Sequence, residues 1–171
     1  MGNCQSCALI RRRDVGAAPL WDAILRTDHW DIVHADSSSI EGWLVLALRR
    51  HAVSVAELTE AEAAELGPLL RRLSIALRRV TGCVKTYVVQ FAEHPDHQHV
   101  HVHLVPRAAD LPDDAKGVGI FSRLGVAEDD QVPPDRKDAF AEALRADPEI
   151  AACVTDDLSR HQPDRTLDST A

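Results

Sequence analysis

The stretch that most constrains the fold of this chain is His97-Gln98-His99-Val100-His101-Val102-His103-Leu104-Val105-Pro106-Arg107. Val100 to Val105 is rich in β-branched and aliphatic residues and is followed by Pro106, so it is expected to form a strand that stops at the proline. Side chains two apart in a strand share a face. His99, His101 and His103 therefore line up on one side, and Val100, Val102 and Leu104 point to the other. The strand has a core face and an imidazole face, and the imidazoles are anchored roughly 6.6 Å apart, twice the rise per residue. That spacing suits successive atoms of an extended polyanion or a single metal ion, and either use requires a pocket.

Imidazole titrates near neutrality, so without large tuning it can attack, accept a proton or bind a metal. Four of the nine histidines fall within seven positions at period two, which argues against a chance cluster on a solvated strand. A metal reading draws on the His-x-His strands of cupin-like barrels and metallohydrolases. Those sites usually add a carboxylate or another His, and no His-x-His-x-Asp-His occurs here.

Elements on either side can be read from periodicity and punctuation. Residues 8 to 27 are uneven, with Arg11-Arg12-Arg13-Asp14 expected as a solvated turn and Pro19-Leu20-Trp21 leading to an Ile24-Leu25 core contact. Trp30 to Ala35 is expected as a strand, Asp36 to Ser39 as a turn, and Gly42 to Leu48, nearly all apolar, as a central strand ending at Arg49-Arg50-His51. Thr59 with Glu62 forms a capping box. Leu66, Leu69, Leu70, Leu73, Leu77 and Val80 then recur at helical spacing until Gly82, with Arg71, Arg72, Arg78 and Arg79 on the solvated side. Lys85 to Phe91 is expected as a strand forming an antiparallel hairpin with the histidine strand through the connector 92–98. Gly117 to Phe121 is expected as a short edge segment, Pro134 to Ala146 as a helix, and the polar tail from 155 onward as disordered.

A chain of 171 residues with 45% hydrophobic content suits one domain with a substantial core. Its net charge of -8 argues against binding a nucleic-acid polymer, while leaving room for a small anion held by local donors. Neither a membrane-length apolar run nor a signal-peptide pattern is visible, so a cytoplasmic protein is expected.

The first residues, Met1-Gly2-Asn3-Cys4-Gln5-Ser6-Cys7, admit three readings. Gly2 with Ser6 fits a myristoylation pattern, and Cys4 or Cys7 would supply a second acyl chain. Three Lys against sixteen Arg suggest a GC-rich bacterial genome, where that pattern carries no meaning. A redox Cys-x-x-Cys normally follows a strand and opens a helix, which a position at the chain start does not fit. As half of a tetrahedral zinc site, the pair would need two distant histidines. Cys83 and Cys153 have no spaced partners and are expected to be ordinary thiols.

From Trp30 to Arg107, about half of the chain, the order of features resembles the histidine triad family of nucleotide hydrolases and transferases, with His-φ-His-φ-His-φ-φ as its signature. The resemblance implies an α+β domain at 1–154, with a core at 28–110 and a C-terminal extension at 111–154. Such a domain has an antiparallel sheet of about five strands with helices packed on one side, and it pairs as a homodimer through the long helix and a sheet edge. It implies hydrolysis or transfer at the α-phosphorus of a purine nucleotide held as an ester, anhydride or phosphoramidate. His101 is then the nucleophile, with His103 and His99 beside it and no catalytic metal. It also implies that Asp36 binds the ribose hydroxyls, whose alternative is an ordinary turn cap, and that Gln90 touches phosphate, whose alternative is a solvated strand residue.

The connector departs from the family's Gly-Gln pattern, reading Glu93-His94-Pro95-Asp96-His97, and His94 and His97 are rival metal ligands. Members with an N-terminal Cys-x-x-Cys imply one structural zinc on Cys4, Cys7, His51 and His99. Two other functions are open: a zinc-stabilised nucleotide-binding module with little turnover, and a metal-dependent hydrolase using the histidines as ligands.

Overall fold

The structure is a computed structural model and describes residues 4–153. Gly2, the acylation candidate, and the tail expected to be disordered lie outside the described residues. Five antiparallel strands, β1 (Leu25–Arg26), β2 (Trp30–His34), β3 (Leu44–Leu48), β4 (Lys85–Val89) and β5 (His101–Arg107), form one sheet in the order β1-β2-β3-β5-β4. The continuous apolar run predicted for a central strand thus lies at the centre of the sheet. Among the described residues the sheet is accompanied by helices α1 (Gln5–Asp14), α2 (Glu60–Thr81) and α3 (Pro134–Ala146), and residues 148–153 are also helical.

Register divides the sheet into two faces. Leu44 lies opposite Leu104 and Leu46 opposite Val102, while Val45 lies opposite His103 and Ala47 opposite His101. The first set joins Ile32, Leu48 and Val100 in the main core, with Leu69, Leu73 and Leu77 of α2 and Phe140 and Leu144 of α3. α2 begins with Thr59 and Glu62 satisfying each other's backbone donors and ends at Gly82, whose φ of 68° accommodates the left-handed cap. Leu73 and Leu77 are fully buried, each contributing roughly 2 kcal/mol of transfer free energy, so packing on the sheet is what stabilises this helix. At Gly42 a side chain would be strained by the φ of 84° and would bring its Cβ to 3.0 Å from Phe140 and Thr81, so glycine lets the β2–β3 turn close against α3.

The second face is also covered, and here the structure corrects four expectations. Arg11 to Arg13 form the last turn of α1, not a solvated loop. The Arg13 guanidinium is 5% exposed and lies 2.6 Å from Asp22 and 3.5 Å from Asp31. Arg12 also reaches Asp22, and Arg26 reaches Asp31 at 2.6 Å. Both aspartates are buried, so the ions survive there only because each is paired by two guanidiniums. α1 is thereby fixed across the face opposite α2 and α3, so the helices are not all on one side. Pro106 does not stop β5: pairing with β3 ends at Leu104, and beyond it the strand has only β4 alongside, an edge condition that tolerates proline. The fifth strand is Leu25–Arg26, whereas Gly117–Arg123 is a 3₁₀ turn. Its Ile120 packs with Ala35, Trp43 and Val105 in a second small core. Arg79 is exposed, as expected of the solvated side of α2, and lies 3.2 Å from the buried carboxylate of Asp147.

Candidate active site and metal cluster

Between α1, the imidazole face of the sheet and the 3₁₀ turn at 117–123 lies a cavity of about 550 Å³, lined by His101, His103, Asp36, Trp21, His94 and His97 among others. The hydrogen bonds made by the ring nitrogens assign the tautomers. His101 Nδ1 is 2.7 Å from the carbonyl oxygen of His99. A carbonyl only accepts, so Nδ1 carries the proton and Nε2 keeps its lone pair. Trp43 Nε1 is 3.0 Å from His103 Nδ1. An indole N–H only donates, so His103 accepts at Nδ1 and carries its proton on Nε2. Adjacent histidines of the triad therefore present opposite chemistry, one a lone pair and the other a donor.

Burial keeps both rings uncharged. It lowers His101 below its ordinary value, against the bond to the His99 carbonyl, and with the neighbouring His101 it pushes His103 down to about 3. Phe121 stands edge-on to both His103 and Trp43, closing this end of the cavity with apolar surface.

His99 faces elsewhere. It is fully buried, its Nε2 donates to the Leu48 carbonyl at 2.6 Å, and its Nδ1 lies 3.7 Å from Cys4 Sγ and 3.5 Å from Cys7 Sγ. His51 Nδ1 lies 3.4 Å from Cys7 Sγ, and one donor atom from each of the four residues falls within 4.8 Å of the others. The four expected ligands are thus brought together. A tetrahedral zinc with ordinary Zn–S and Zn–N bonds sets neighbouring sulfur and nitrogen ligands about 3.6 Å apart, so the donor set and its spacing fit that ion. Burial raises the Cys7 thiol and adjacent Cys4 raises it further, as expected of paired sulfurs whose ionisation needs a cation between them. The Leu48 carbonyl fixes the tautomer that leaves His99 Nδ1 free to ligate. Among the triad, His99 contributes its side chain to this cluster and only its backbone carbonyl to His101.

Asp36 lines the cavity beyond β2, with its side chain 80% exposed. The buried Lys137 ammonium bonds its backbone carbonyl, lies 3.4 Å from its carboxylate and sits 4.6 Å above the Trp21 ring. Gln90, just past the end of β4, is partly exposed and is not among the residues lining the cavity. His94 and His97 are among the residues lining the cavity and stand outside the four-residue cluster.

Sequence reading gave Trp43 and His34 no role and took Ser6 only as part of an acylation pattern. Trp43 carried a usable signal, because a tryptophan in a wholly apolar run needs a partner for its N–H. Ser6 binds His97 across 91 positions of sequence, which no local pattern encodes. His34 is a satisfied core residue: it donates to the Ala35 carbonyl at 2.7 Å and accepts from Gly42 N–H at 3.0 Å, and burial lowers it to about 4.

No family model matches the sequence, and neither does any curated protein. Solved structures do match. A histidine triad protein from Bradyrhizobium japonicum is 22% identical over 72% of this chain and 87% of its own, with a TM-score of 0.59. A zinc-bound histidine triad family protein from Mycobacterium smegmatis is 18% identical over 90% and 96%, with a TM-score of 0.60. A hypothetical histidine triad nucleotide-binding protein from Sulfolobus tokodaii is 14% identical over 85% and 93%, with a TM-score of 0.62. The α+β architecture, with its five-stranded antiparallel sheet and the long helix packed on it, is that of the histidine triad fold.

Proposed function

We propose that this chain is a nucleotide hydrolase or transferase acting at the α-phosphorus of a purine nucleotide through a nucleotidyl-histidine intermediate. The observation that carries the reading is the His101 tautomer: its Nδ1–H is held by the His99 carbonyl at 2.7 Å, leaving the Nε2 lone pair as the reactive atom on a cavity-lining residue. Nε2 attacks phosphorus in line, and the bond from phosphorus to the leaving group breaks with its electron pair departing on the leaving group. Water then attacks the same phosphorus and gives up a proton to solvent, the P–N bond breaks with its electron pair returning to Nε2, and neutral His101 and the mononucleotide are released. His103, as an Nε2–H donor, stabilises charge on the phosphoryl oxygens. Asp36 accepts from the ribose hydroxyls, with Lys137 holding its backbone in place.

Cys4, Cys7, His51 and His99 would hold zinc in a closed four-ligand site, whose contribution is mechanical: it ties the start of α1 to the ends of β3 and β5. A homodimer formed through the long helix and a sheet edge fits the exposed β4, where Val88 is 52% exposed and Phe91, just beyond, 54%. Turnover of a purine nucleoside phosphoramidate and of a dinucleoside polyphosphate tests the proposal. His101→Asn should lower kcat by about four orders of magnitude or more while the nucleotide Kd changes little. Near-normal turnover by that variant would contradict it.

A further inference from the structure

The turn that carries Asp36 is held by chain lying well beyond the histidine strand. Gly125 N–H donates to the Ser37 carbonyl at 2.8 Å, Val132 N–H to the Ser38 carbonyl at 2.9 Å, and Ser39 N–H to the Arg123 carbonyl at 3.0 Å. Asp36 itself is held differently, by a side chain. Its carbonyl accepts from the Lys137 ammonium of α3, and its carboxylate lies 3.4 Å from the same nitrogen.

Lys137 is buried and is not among the residues lining the cavity, yet both groups it reaches are. One is Asp36, and the other is Trp21, whose ring centroid lies 4.6 Å below the ammonium. The next residue of α3, Asp138, accepts the Trp21 backbone N–H at 2.9 Å. Two successive residues of α3 thus hold two cavity walls that are remote from each other in sequence. A buried ammonium is costly unless its donors are used, so this one constrains what it touches. α3 does not depend on that contact for its place, because Phe140, Ala141 and Leu144 anchor it in the main core. The Asp36 carboxylate is exposed while the ammonium beside it is buried, so the pairing comes from the protein side and leaves carboxylate oxygens open to a ligand.

We infer that Lys137 is a positioning residue for the sugar end of the cavity, and that its ammonium sets how strongly the site prefers a ribonucleotide to the 2′-deoxyribonucleotide. A carboxylate that accepts from two adjacent hydroxyls must hold one orientation, and the deoxy sugar offers it one donor fewer. Without the ammonium the Asp36 carbonyl loses its partner and the carboxylate turns freely in solvent, so the advantage of the second hydroxyl shrinks. The stitching of Ser37 to Ser39 survives that change, because none of it passes through Lys137. The inference rests on the proposed ribose contact at Asp36 and needs binding alone.

The probes are adenosine 5′-monophosphate and 2′-deoxyadenosine 5′-monophosphate, with the guanosine pair in parallel, titrated calorimetrically into the full chain. The wild type should bind the ribonucleotide about tenfold more tightly, the worth of one hydrogen bond to a charged group, and Asp36→Ala should bring that ratio near unity. Lys137→Met keeps the apolar stem and removes donor and charge together, and should cut the ratio to about threefold. Lys137→Gln, a neutral donor, should fall between methionine and wild type, and it carries the test if the methionine variant does not fold. The two ligands differ by one hydroxyl, so a general loosening of the domain shifts both affinities and leaves their ratio unchanged. A ratio still near tenfold in Lys137→Met, or in Lys137→Gln where that is the folded variant, overturns the inference while the ribose contact stands. A wild-type ratio near unity removes the ribose contact at Asp36 and the inference with it. Failure of the hydrolase proposal shows separately, as absent turnover with the ribose preference intact.

Discussion

Trp43→Phe isolates the hydrogen bond that sets the third triad histidine. Trp43 is fully buried, its Nε1–H reaches His103 Nδ1 at 3.0 Å, and its ring stacks edge-on against Phe121 with centroids 5.4 Å apart. Phenylalanine keeps most of the apolar contact, deletes the donor and leaves a small void. A buried acceptor without a partner costs about 1–3 kcal/mol and the lost atoms about 1 more, so the melting temperature should fall by roughly 5–12 °C for a chain this size. The catalytic consequence is separate. With Nδ1 unpartnered, the proton is free to move there from Nε2, and His103 then turns a lone pair toward the phosphoryl oxygens. Loss of one such donor costs about 10²-fold in kcat. Nitrogen-15 shifts of the His103 ring report the tautomer, alongside melting and single-turnover rates. A full-rate enzyme whose tautomer has switched would refute the role given to His103 Nε2–H, and an unchanged melting temperature would refute the importance of the indole bond.

Two other outcomes follow from the cluster and the buried rings. His51→Ala should lower zinc content and melting temperature together, whereas His101→Ala should keep both; full zinc in the first variant would mean that the ligand set is wrong. His34 and His103 are held by burial near 4 and 3, below the 6.5 they regain on unfolding. The unfolded chain therefore binds more protons between about pH 6.5 and 4. The stability these rings contribute is complete above about pH 6.5 and is lost on acidification through that window, with a slope near pH 5 of about 2.7 kcal/mol per pH unit for two protons. Urea melts between pH 7 and 5 check the direction and slope, and a flat profile contradicts the buried neutral rings.

The elements that sequence alone exposed are those whose signal is local. The capping box at Thr59 and Glu62, the left-handed stop at Gly82, the Pro134–Ala146 helix and the alternation of β5 each depend on residues a few positions apart. The grouping of Cys4, Cys7, His51 and His99 was legible only jointly, through resemblance, because the two cysteines meet the two histidines through the fold. What escaped depends on distant partners. Arg13 read as solvated with its neighbours because nothing nearby announces Asp22 and Asp31 as the buried carboxylates that anchor α1. Pro106 read as a strand end because the tolerance for it comes from where β3 stops, a property of another strand. The two-residue β1 has too few positions to show any periodicity.

The most direct measurement is mass spectrometry of protein quenched during turnover. The quench must be an alkaline denaturant, because the P–N bond of a nucleotidyl-imidazole is labile in acid. The account predicts an added nucleoside monophosphate located by fragmentation on His101, absent from His101→Asn and still detectable at a reduced level when His103 is replaced. Turnover without any adduct on the wild-type chain, or an adduct on a residue other than His101, would contradict it.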